Sequence, residues 1–310
     1  QDWVDEGKIG KVSEVKVWTN RPVWPQGIKM QAPDPSLKPD SLDWNLWLGP
    51  ASQKPYTPNL HPFNWRGWWD YGTGALGDVG CHLIDIPFRT LGLKYPKSAE
   101  CSVGSVFTKM WNPDYHPEGC PPSSLITLNF DSTEKSKSPI QLTWTDGGIR
   151  PPHPDIIPAD SDIGGQDSQN GVLMIGDKGI ISTNINDSSP LTPKLYLYDG
   201  QTEFGPDKED MPEPEYGHQR KWVDACKAGF NSKEHLDLTS SFDYAGPMTE
   251  TVLMGNLAIR SYMLRKEASN GSFDYYARKK LLWDGENMKI TNVEEANQFV
   301  TRKYREGWKI

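Results

Sequence analysis

Alternating apolar and polar positions recur along the chain and predict a series of β-strands. The first is Val12–Thr19, in which Val15 and Val17 fall on one side of the strand and charged residues on the other. Further segments with strand patterns are Ser98–Thr108, Ser123–Phe130, Ile140–Thr145, Val172–Ile175, Ile180–Thr183, Leu195–Tyr198 and Phe273–Trp283. Because short turns join many of them, including a hairpin turn at Gly176–Gly179, we predict a mostly antiparallel sheet.

Apolar spacing close to the helical period predicts helices at Asp78–Thr90, Gly217–Ala228, Pro247–Arg265 and Val293–Arg305. Pro87 is expected to kink the first helix or to end its regular hydrogen bonding. The apolar stripe of the second helix consists of Trp222, Val223 and Cys226. Asn292 and Glu295 have the spacing of an N-cap and N3 pair, which predicts the start of the last helix.

Strands and helices do not alternate regularly, which argues against a doubly wound sheet. We therefore predict the α+β class, with an open-faced, mostly antiparallel β-sheet and helices on one face, as a single domain over residues 1–310. The loop-rich stretches of this domain are Pro22–Pro62, Gly147–Asn170 and Gly200–Tyr216. The first leads into the segment with the strongest chemical signal and is a candidate wall for a site.

Composition and net charge argue against several classes of function. The 310 residues carry a net charge of −8, which argues against nucleic-acid binding because a phosphate footprint requires a basic patch. No apolar run approaches the roughly 18 residues of a membrane span. The four cysteines are widely spaced and indicate neither a disulfide framework nor a zinc site. The thirteen tryptophans suit sugar binding, because indole rings can stack against sugar rings. The sequence does not predict a localisation.

The segment Trp65–Asp85 places ionisable side chains behind glycines and aromatic residues. If a helix begins near Gly77, then Asp78, His82 and Asp85 stand at i, i+4 and i+7 and share one helical face. An imidazole one turn from a carboxylate suits general acid–base chemistry near neutral pH. We therefore expect a catalytic site on this face.

The same segment contains Gly72, Gly74 and Gly77 in the order G-x-G-x-x-G. A dinucleotide fingerprint requires a buried strand before the first glycine and an acidic residue about 20 positions later. The preceding residues are bulky and charged, and the position of the acid falls in the loop-like segment 94–97. We reject the fingerprint and expect these glycines to permit a sharp turn instead.

An ordered series of motifs resembles the C-terminal, substrate-side domain of the Gfo/Idh/MocA oxidoreductases, the family of glucose-fructose oxidoreductase and inositol dehydrogenase. The motifs are Gly7–Val12, Trp44–Pro50, Gly77–Asp85, Gly176–Gly179, His218–Trp222 and Trp283–Asn287. The resemblance covers nearly the whole chain. It implies a fold like the C-terminal domain of dihydrodipicolinate reductase and an NAD(P)-dependent reaction at a sugar or polyol hydroxyl.

In the family, the residues matching Asp78 and His82 face the nicotinamide, so the resemblance implies catalytic roles for both. The candidate substrate-binding residues are Arg66, Trp65, Trp68, Tyr71, Asp85 and His218. Each has a structural alternative. Asp78 and His218 could cap helices, His82 could be a core histidine, Arg66 could be clamped between Trp65 and Trp68, and the aromatic residues could belong to the core.

Family members begin with a Rossmann domain, and the resemblance implies that this domain is absent from the 310 residues. Gln1–Gly7 resembles the end of a helix closed by a C-cap glycine, so we expect a fragment that is inactive alone. NAD or NADP would serve the intact protein, with none bound to this chain. We expect a sugar or polyol ligand, a homo-oligomer formed through the open sheet face, and no nucleic-acid or membrane partner.

Two functions of other classes stay open. Asp78, His82 and Asp85 could ligate a divalent metal in a hydrolase or lyase, although three ligands on one short helix are cramped. The chain could also be a non-catalytic sugar-binding module.

Overall fold

The computed structural model describes residues 1–184, 193–206, 216–269 and 271–308. The predicted loop Gly200–Tyr216 therefore lies mostly outside the described residues. Within them, no helix is both long enough and apolar enough to cross a membrane.

A ten-stranded sheet dominates the described part of the chain. Its strands follow the spatial order β12-β11-β2-β3-β4-β1-β5-β6-β7-β8, and a separate two-stranded sheet pairs β9 with β10. The strands are β1 (Val12–Trp18), β2 (Ser98–Val103), β3 (Ser124–Phe130), β4 (Ile140–Thr145), β5 (Gly171–Gly176), β6 (Gly179–Thr183), β7 (Lys194–Leu197), β8 (Thr202–Phe204), β9 (Lys266–Glu267), β10 (Phe273–Asp274), β11 (Leu281–Asp284) and β12 (Lys289–Ile290).

Strand β1 lies at the centre of the sheet and is parallel to β4, with Val15 opposite Leu142. The other strand pairs among the described residues are antiparallel, including β2 with β3 and the β5–β6 hairpin. The predicted fold class, a mostly antiparallel α+β sheet with helices, is therefore confirmed.

Helices α3, α4 and α7 cover one face of the sheet, and α7 lies along β2 and β3. The described helices are α1 (Asp2–Asp5), α2 (Trp44–Leu48), α3 (Gly74–Leu83), α4 (Asp85–Leu91), α5 (Gly217–Ala228), α6 (Lys233–Leu236) and α7 (Phe242–Tyr262). The main core forms between them, with Trp144 of β4 and Leu76 of α3 almost fully buried. Each such side chain contributes about 1.5–3 kcal/mol relative to an exposed position.

Only part of the opposite face of the sheet is covered. Trp18, Leu173 and Ile180 alternate with main-core residues and therefore point to this face, where loop 147–170 packs over them. The loop is fastened by the Trp18 indole, whose Nε1 donates to the Ser168 carbonyl at 2.8 Å. The face of β3 and β4 stays uncovered and presents mostly uncharged polar side chains, such as the paired Thr127 and Thr143.

The predicted helix Asp78–Thr90 is two helices, because α3 ends at Leu83 and α4 begins at Asp85. Pro87 accounts for the break, since a proline ring clashes with the carbonyl four residues earlier, here that of Leu83. The predicted start of α7 at Pro247 is also wrong. The helix begins at Phe242 and continues through the proline, which removes one N–H donor in its second turn.

The predicted helix Val293–Arg305 is instead a short 3-10 helix over Glu294–Phe299. Asn292 does not cap it, because its side chain accepts from the Leu282 N–H at 2.8 Å and donates to the Lys280 carbonyl at 2.7 Å. These long-range hydrogen bonds replace the local N-cap that the spacing predicted. The strand predictions Ser98–Thr108 and Phe273–Trp283 were too long, since β2 ends at Val103 and residues 275–280 separate β10 from β11.

Helix α5 has the predicted bounds, but its apolar stripe is not buried. Trp222 is 62% exposed and Val223 is 38% exposed, because α5 packs mainly against the short α6. The stripe borders an open cavity of about 340 Å³ that Phe230 and Phe242 also line.

Asp146 is a buried carboxyl that joins the neighbouring ends of β3 and β4. It is 3% exposed and accepts hydrogen bonds from the Ser124 N–H, the Ser124 hydroxyl and the Trp144 indole N–H. Burial outweighs these hydrogen bonds and raises the pKa of Asp146 to about 6. With Gly147 and Gly148, the residue forms the turn that follows β4.

The raised pKa of Asp146 predicts a pH-dependent stability. Since an unfolded aspartate has a pKa of about 3.9, the folded state holds the proton more tightly between about pH 4 and pH 6. The stabilisation by the neutral carboxyl is complete below about pH 4 and is lost as the pH rises through 6, by at most about 3 kcal/mol.

Urea unfolding of the wild type and of Asp146→Asn across pH 4–7 measures this effect. We expect the difference in unfolding free energy between them to shrink as the pH rises. Asp131→Asn, which removes an exposed carboxylate after β3, controls for the loss of one negative charge. A difference that stays constant or grows with pH would contradict the assignment.

Candidate active site

The approach to α3 is a tightly packed turn, which explains its glycines. A Cβ added at Gly72 would lie 2.6 Å from the Arg66 backbone, and one at Gly74 would lie 2.9 Å from the Cys120 Sγ. Gly74 also has a φ of +65°, a conformation that favours glycine. The glycines therefore let the chain turn sharply before the helix.

The start of α3 is not a dinucleotide cradle. The chain ahead of it is a 3-10 turn over Asn64–Gly67 and an isolated bridge at Trp68, with no strand entering the helix. The first helical residues, Gly74, Ala75 and Leu76, are buried against the protein. Their N–H groups are thus closed off from a pyrophosphate, which agrees with the rejection of the fingerprint.

Asp78 and His82 occupy one accessible side of α3. Asp78 lies in the second turn of the helix and is not its N-cap, a position held by Thr73. The Asp78 side chain is 34% exposed, and His82 is exposed and not a core histidine. One helical turn separates their Cβ atoms by roughly 5–6 Å. The structure shows no hydrogen bond or ion pair between them, so both can contact an external ligand.

Arg66 binds Asp78 directly. Its Nε donates to Asp78 Oδ1 at 2.9 Å, and its Nη1 donates to the Phe63 carbonyl at 3.1 Å. The guanidinium lies 4.3 Å from the centre of the Phe63 ring and 4.6 Å from that of Trp65. Arg66 is therefore held by Phe63 and Trp65, and not between Trp65 and Trp68 as the sequence suggested.

Asp85 does not share the face of Asp78 and His82, because it begins the separate helix α4. Its carboxylate accepts a hydrogen bond from the Tyr244 hydroxyl and forms an ion pair with Arg89 at 3.5 Å. Burial and the nearby carboxylate raise the pKa of Tyr244. Asp85 thus fastens α4 to α7 and does not present a free carboxylate beside His82, as the predicted shared face required.

Two of the three aromatic residues predicted to bind substrate, Trp68 and Tyr71, belong to a small core under loop 22–62. Trp68 is 5% exposed and packs with Trp44 and Leu60, while the Tyr71 ring lies 5.1 Å from that of Trp47. Burial, aided by the Asp70 charge, raises the pKa of Tyr71 to about 12. Of the predicted sugar-stacking rings, only Trp65 lies beside the Asp78 ion pair, and Arg66 covers one of its faces.

His218 lies on the exposed first turn of α5 and makes no hydrogen bond, ion pair or ring contact with the described residues of α3. The structure therefore does not bring His218 to Asp78 and His82. Phe63, in contrast, was missed by the sequence analysis. Its position three residues before Arg66, in a turn, is the local signal that could have identified it as a stacking partner.

A metal centre has no support among the described residues, which contain no group of three His, Cys, Asp or Glu side chains able to ligate an ion. The arrangement on α3 instead offers a hydrogen-bond acceptor and an accessible imidazole to a ligand that carries hydroxyl groups.

One protein-family model matches part of the chain. Residues 9–102 match the family model of the Gfo/Idh/MocA oxidoreductases, described as the oxidoreductase family, C-terminal alpha/beta domain. The matched segment runs from the entry to β1 through α3 to β2 and includes Asp78 and His82. The resemblance predicted from the motifs is therefore confirmed over this segment.

No curated protein matches the sequence significantly. Solved structures with similar folds include an NAD binding oxidoreductase from Klebsiella pneumoniae, at 13% identity and a TM-score of 0.45, covering 84% of this chain and 60% of that one. Another is UDP-N-acetylglucosamine 3-dehydrogenase GnnA from Acidithiobacillus ferrooxidans, at 10% identity and a TM-score of 0.41, covering 85% and 58%. A third is the WlbA dehydrogenase from Bordetella pertussis in complex with NADH and UDP-GlcNAcA, at 10% identity and a TM-score of 0.40, covering 84% and 56%.

The chain thus spans less than two thirds of the length of these three structures.

Proposed function

We propose that this chain is the substrate-binding half of an NAD(P)-dependent oxidoreductase that acts on a sugar or polyol hydroxyl. The observation that carries the proposal is the placement of Asp78 and His82 on one accessible side of α3, one turn apart, within the segment that matches the oxidoreductase family. A carboxylate and an imidazole at this separation can bind two neighbouring hydroxyl groups of one ligand.

Oxidation of a secondary alcohol removes a proton from the hydroxyl oxygen and a hydride from the carbon. In the proposed reaction, a ring nitrogen of His82 takes the proton, and it returns the proton in the reverse direction. Asp78 accepts a hydrogen bond from the reacting or the adjacent hydroxyl and thereby orients the carbon. Trp65 can border the sugar ring through the face that Arg66 leaves open.

The start of α3 does not fit a nicotinamide dinucleotide, since its first residues are buried and present no phosphate cradle. Within the proposal, NAD or NADP would supply the hydride acceptor and would be held by a Rossmann domain outside the described residues, so that the chain alone would be inactive.

Two other functions have weaker support. The metal-dependent hydrolase or lyase would require Asp85 as a ligand, but its carboxylate is bound to Tyr244 and Arg89. A non-catalytic sugar-binding module would use the same face of α3 without proton transfer, and it is the outcome expected if sugars bind but never react.

The uncovered face of β3 and β4 supports self-association, which we propose as the quaternary arrangement. Thr127 and Thr143 lie opposite each other there, and Leu125 on the same face is 39% exposed. A mostly uncharged strand face of this kind suits the contact between two copies of a chain.

Light scattering tests the arrangement. We expect a dimer or larger species for the wild type and a shift towards monomer for Thr127→Lys, because a charge would be buried in the contact. Thr202→Lys, at the exposed edge strand β8, is the matched control and should leave the mass unchanged. A monomeric wild type would contradict the proposal.

The catalytic assignment predicts that His82→Ala in the complete gene product lowers kcat by about 100-fold or more, in the range of general acid–base catalysis. The melting temperature should stay close to that of the wild type, because His82 is exposed. Cys81→Ser changes the preceding exposed residue and should keep its activity.

Hydride transfer to NAD and NADP, followed at the absorbance of the reduced nicotinamide with a panel of sugars and polyols, gives the readout. An equal loss of activity in both variants, or a loss that follows unfolding, would contradict the role of His82.

A further inference from the structure

We infer that Arg66 is a positioning residue that holds the Asp78 carboxylate and does not itself bind the substrate. The inference rests on the proposed function, in which Asp78 orients a hydroxyl group. Its structural basis is the 2.9 Å contact between Arg66 Nε and Asp78 Oδ1, in a pair whose side chains are 25% and 34% exposed.

The guanidinium is fixed by contacts that do not involve Asp78. Its Nη1 donates to the Phe63 carbonyl, and the rings of Phe63 and Trp65 lie within 5 Å of its central carbon. The Arg66 backbone is in turn fixed by Gly72, whose missing Cβ leaves room for it. A planar guanidinium stacked in this way keeps a defined direction for its Nε–H bond.

The fixed direction of the Arg66 Nε–H bond determines which carboxylate oxygen of Asp78 accepts a hydrogen bond from it. Oδ1 is bound to Arg66, whereas Oδ2 accepts no hydrogen bond from a described residue. The free Oδ2 is therefore the atom offered to a ligand, and its direction is set through Oδ1. Without Arg66, the carboxylate of a helix surface residue would rotate freely about its side-chain bonds, and the alignment of the ligand would be lost.

The ion pair also neutralises Arg66, which argues against its use for recognising an anionic group. Cations that bind phosphates or carboxylates need their charge and their donors directed at the ligand. Here the Nε donor and one Nη1 donor are already directed at protein oxygens. The pair is thus suited to a ligand rich in hydroxyl groups.

A double-mutant cycle in the complete gene product separates positioning from direct binding. We expect R66Q to lower kcat by about 10-fold to 100-fold, in line with the cost of a misplaced catalytic contact. In the D78A background, which removes the acceptor, the same change should have little further effect, because Arg66 acts through Asp78. An equal loss from R66Q with and without Asp78 would overturn the inference.

A second measurement does not depend on turnover. In arginine-labelled protein, the Nε–Hε NMR signal of Arg66 should be protected from exchange in the wild type and should shift and lose protection in D78A, which removes the acceptor. K97Q breaks the exposed pair between Lys97 and Asp131 and is the matched control. An Arg66 signal that is the same in wild type and D78A would overturn the inference. The absence of turnover with every sugar would instead contradict the proposed function, and the NMR signal would still decide the role of Arg66.

Discussion

The contact between the backbones of Gly72 and Arg66 is the constraint on which the candidate site depends. A side chain at position 72 would overlap the Arg66 Cα and carbonyl, so this approach is open to glycine alone. The contact folds the turn at Asn64–Gly67 back over the start of α3. Because of this fold, the Arg66 guanidinium reaches a residue twelve positions later, in the second turn of the helix.

The rest of the site follows from where α3 begins and ends. Its first turn, Gly74–Gly77, carries no ionisable side chain, so Asp78 in the second turn is the first ionisable residue of the helix. At the other end, Pro87 ends the helix at Leu83, and His82 is left in its last turn. The accessible surface of α3 therefore carries one carboxylate and one imidazole, while Asp85 is used to fasten α4 to α7.

The sheet could be predicted from the sequence because its signals are local. Strand β1 and the β5–β6 hairpin follow the alternation of apolar residues closely, and the bounds of α5 match its helical period. The failures involve contacts that are distant in sequence. Asn292 has the spacing of an N-cap, yet its amide is bound to the strand at Lys280 and Leu282. No local pattern shows that such partners will lie nearby.

The same distinction applies to the site. The spacing of Asp78 and His82 is local and predicted their shared face once a helix was assumed. The Asp85 carboxylate is bound by Tyr244, which lies far along the chain. Trp68 is buried against Trp44 and Leu60 in loop 22–62. Aromatic residues next to a glycine turn have the same appearance in sequence whether they line a pocket or fill a core.

The central proposal is that α3 binds a substrate and that its closed start does not bind a nucleotide. Titration of the 310-residue chain with NADH and NADPH, followed through tryptophan emission, tests this most directly. We predict no saturable binding, because Arg66 and Cys120 occupy the space beside the glycines at the start of α3. Saturable binding in the micromolar range would show that the described chain holds a nucleotide site of its own and would contradict the claim.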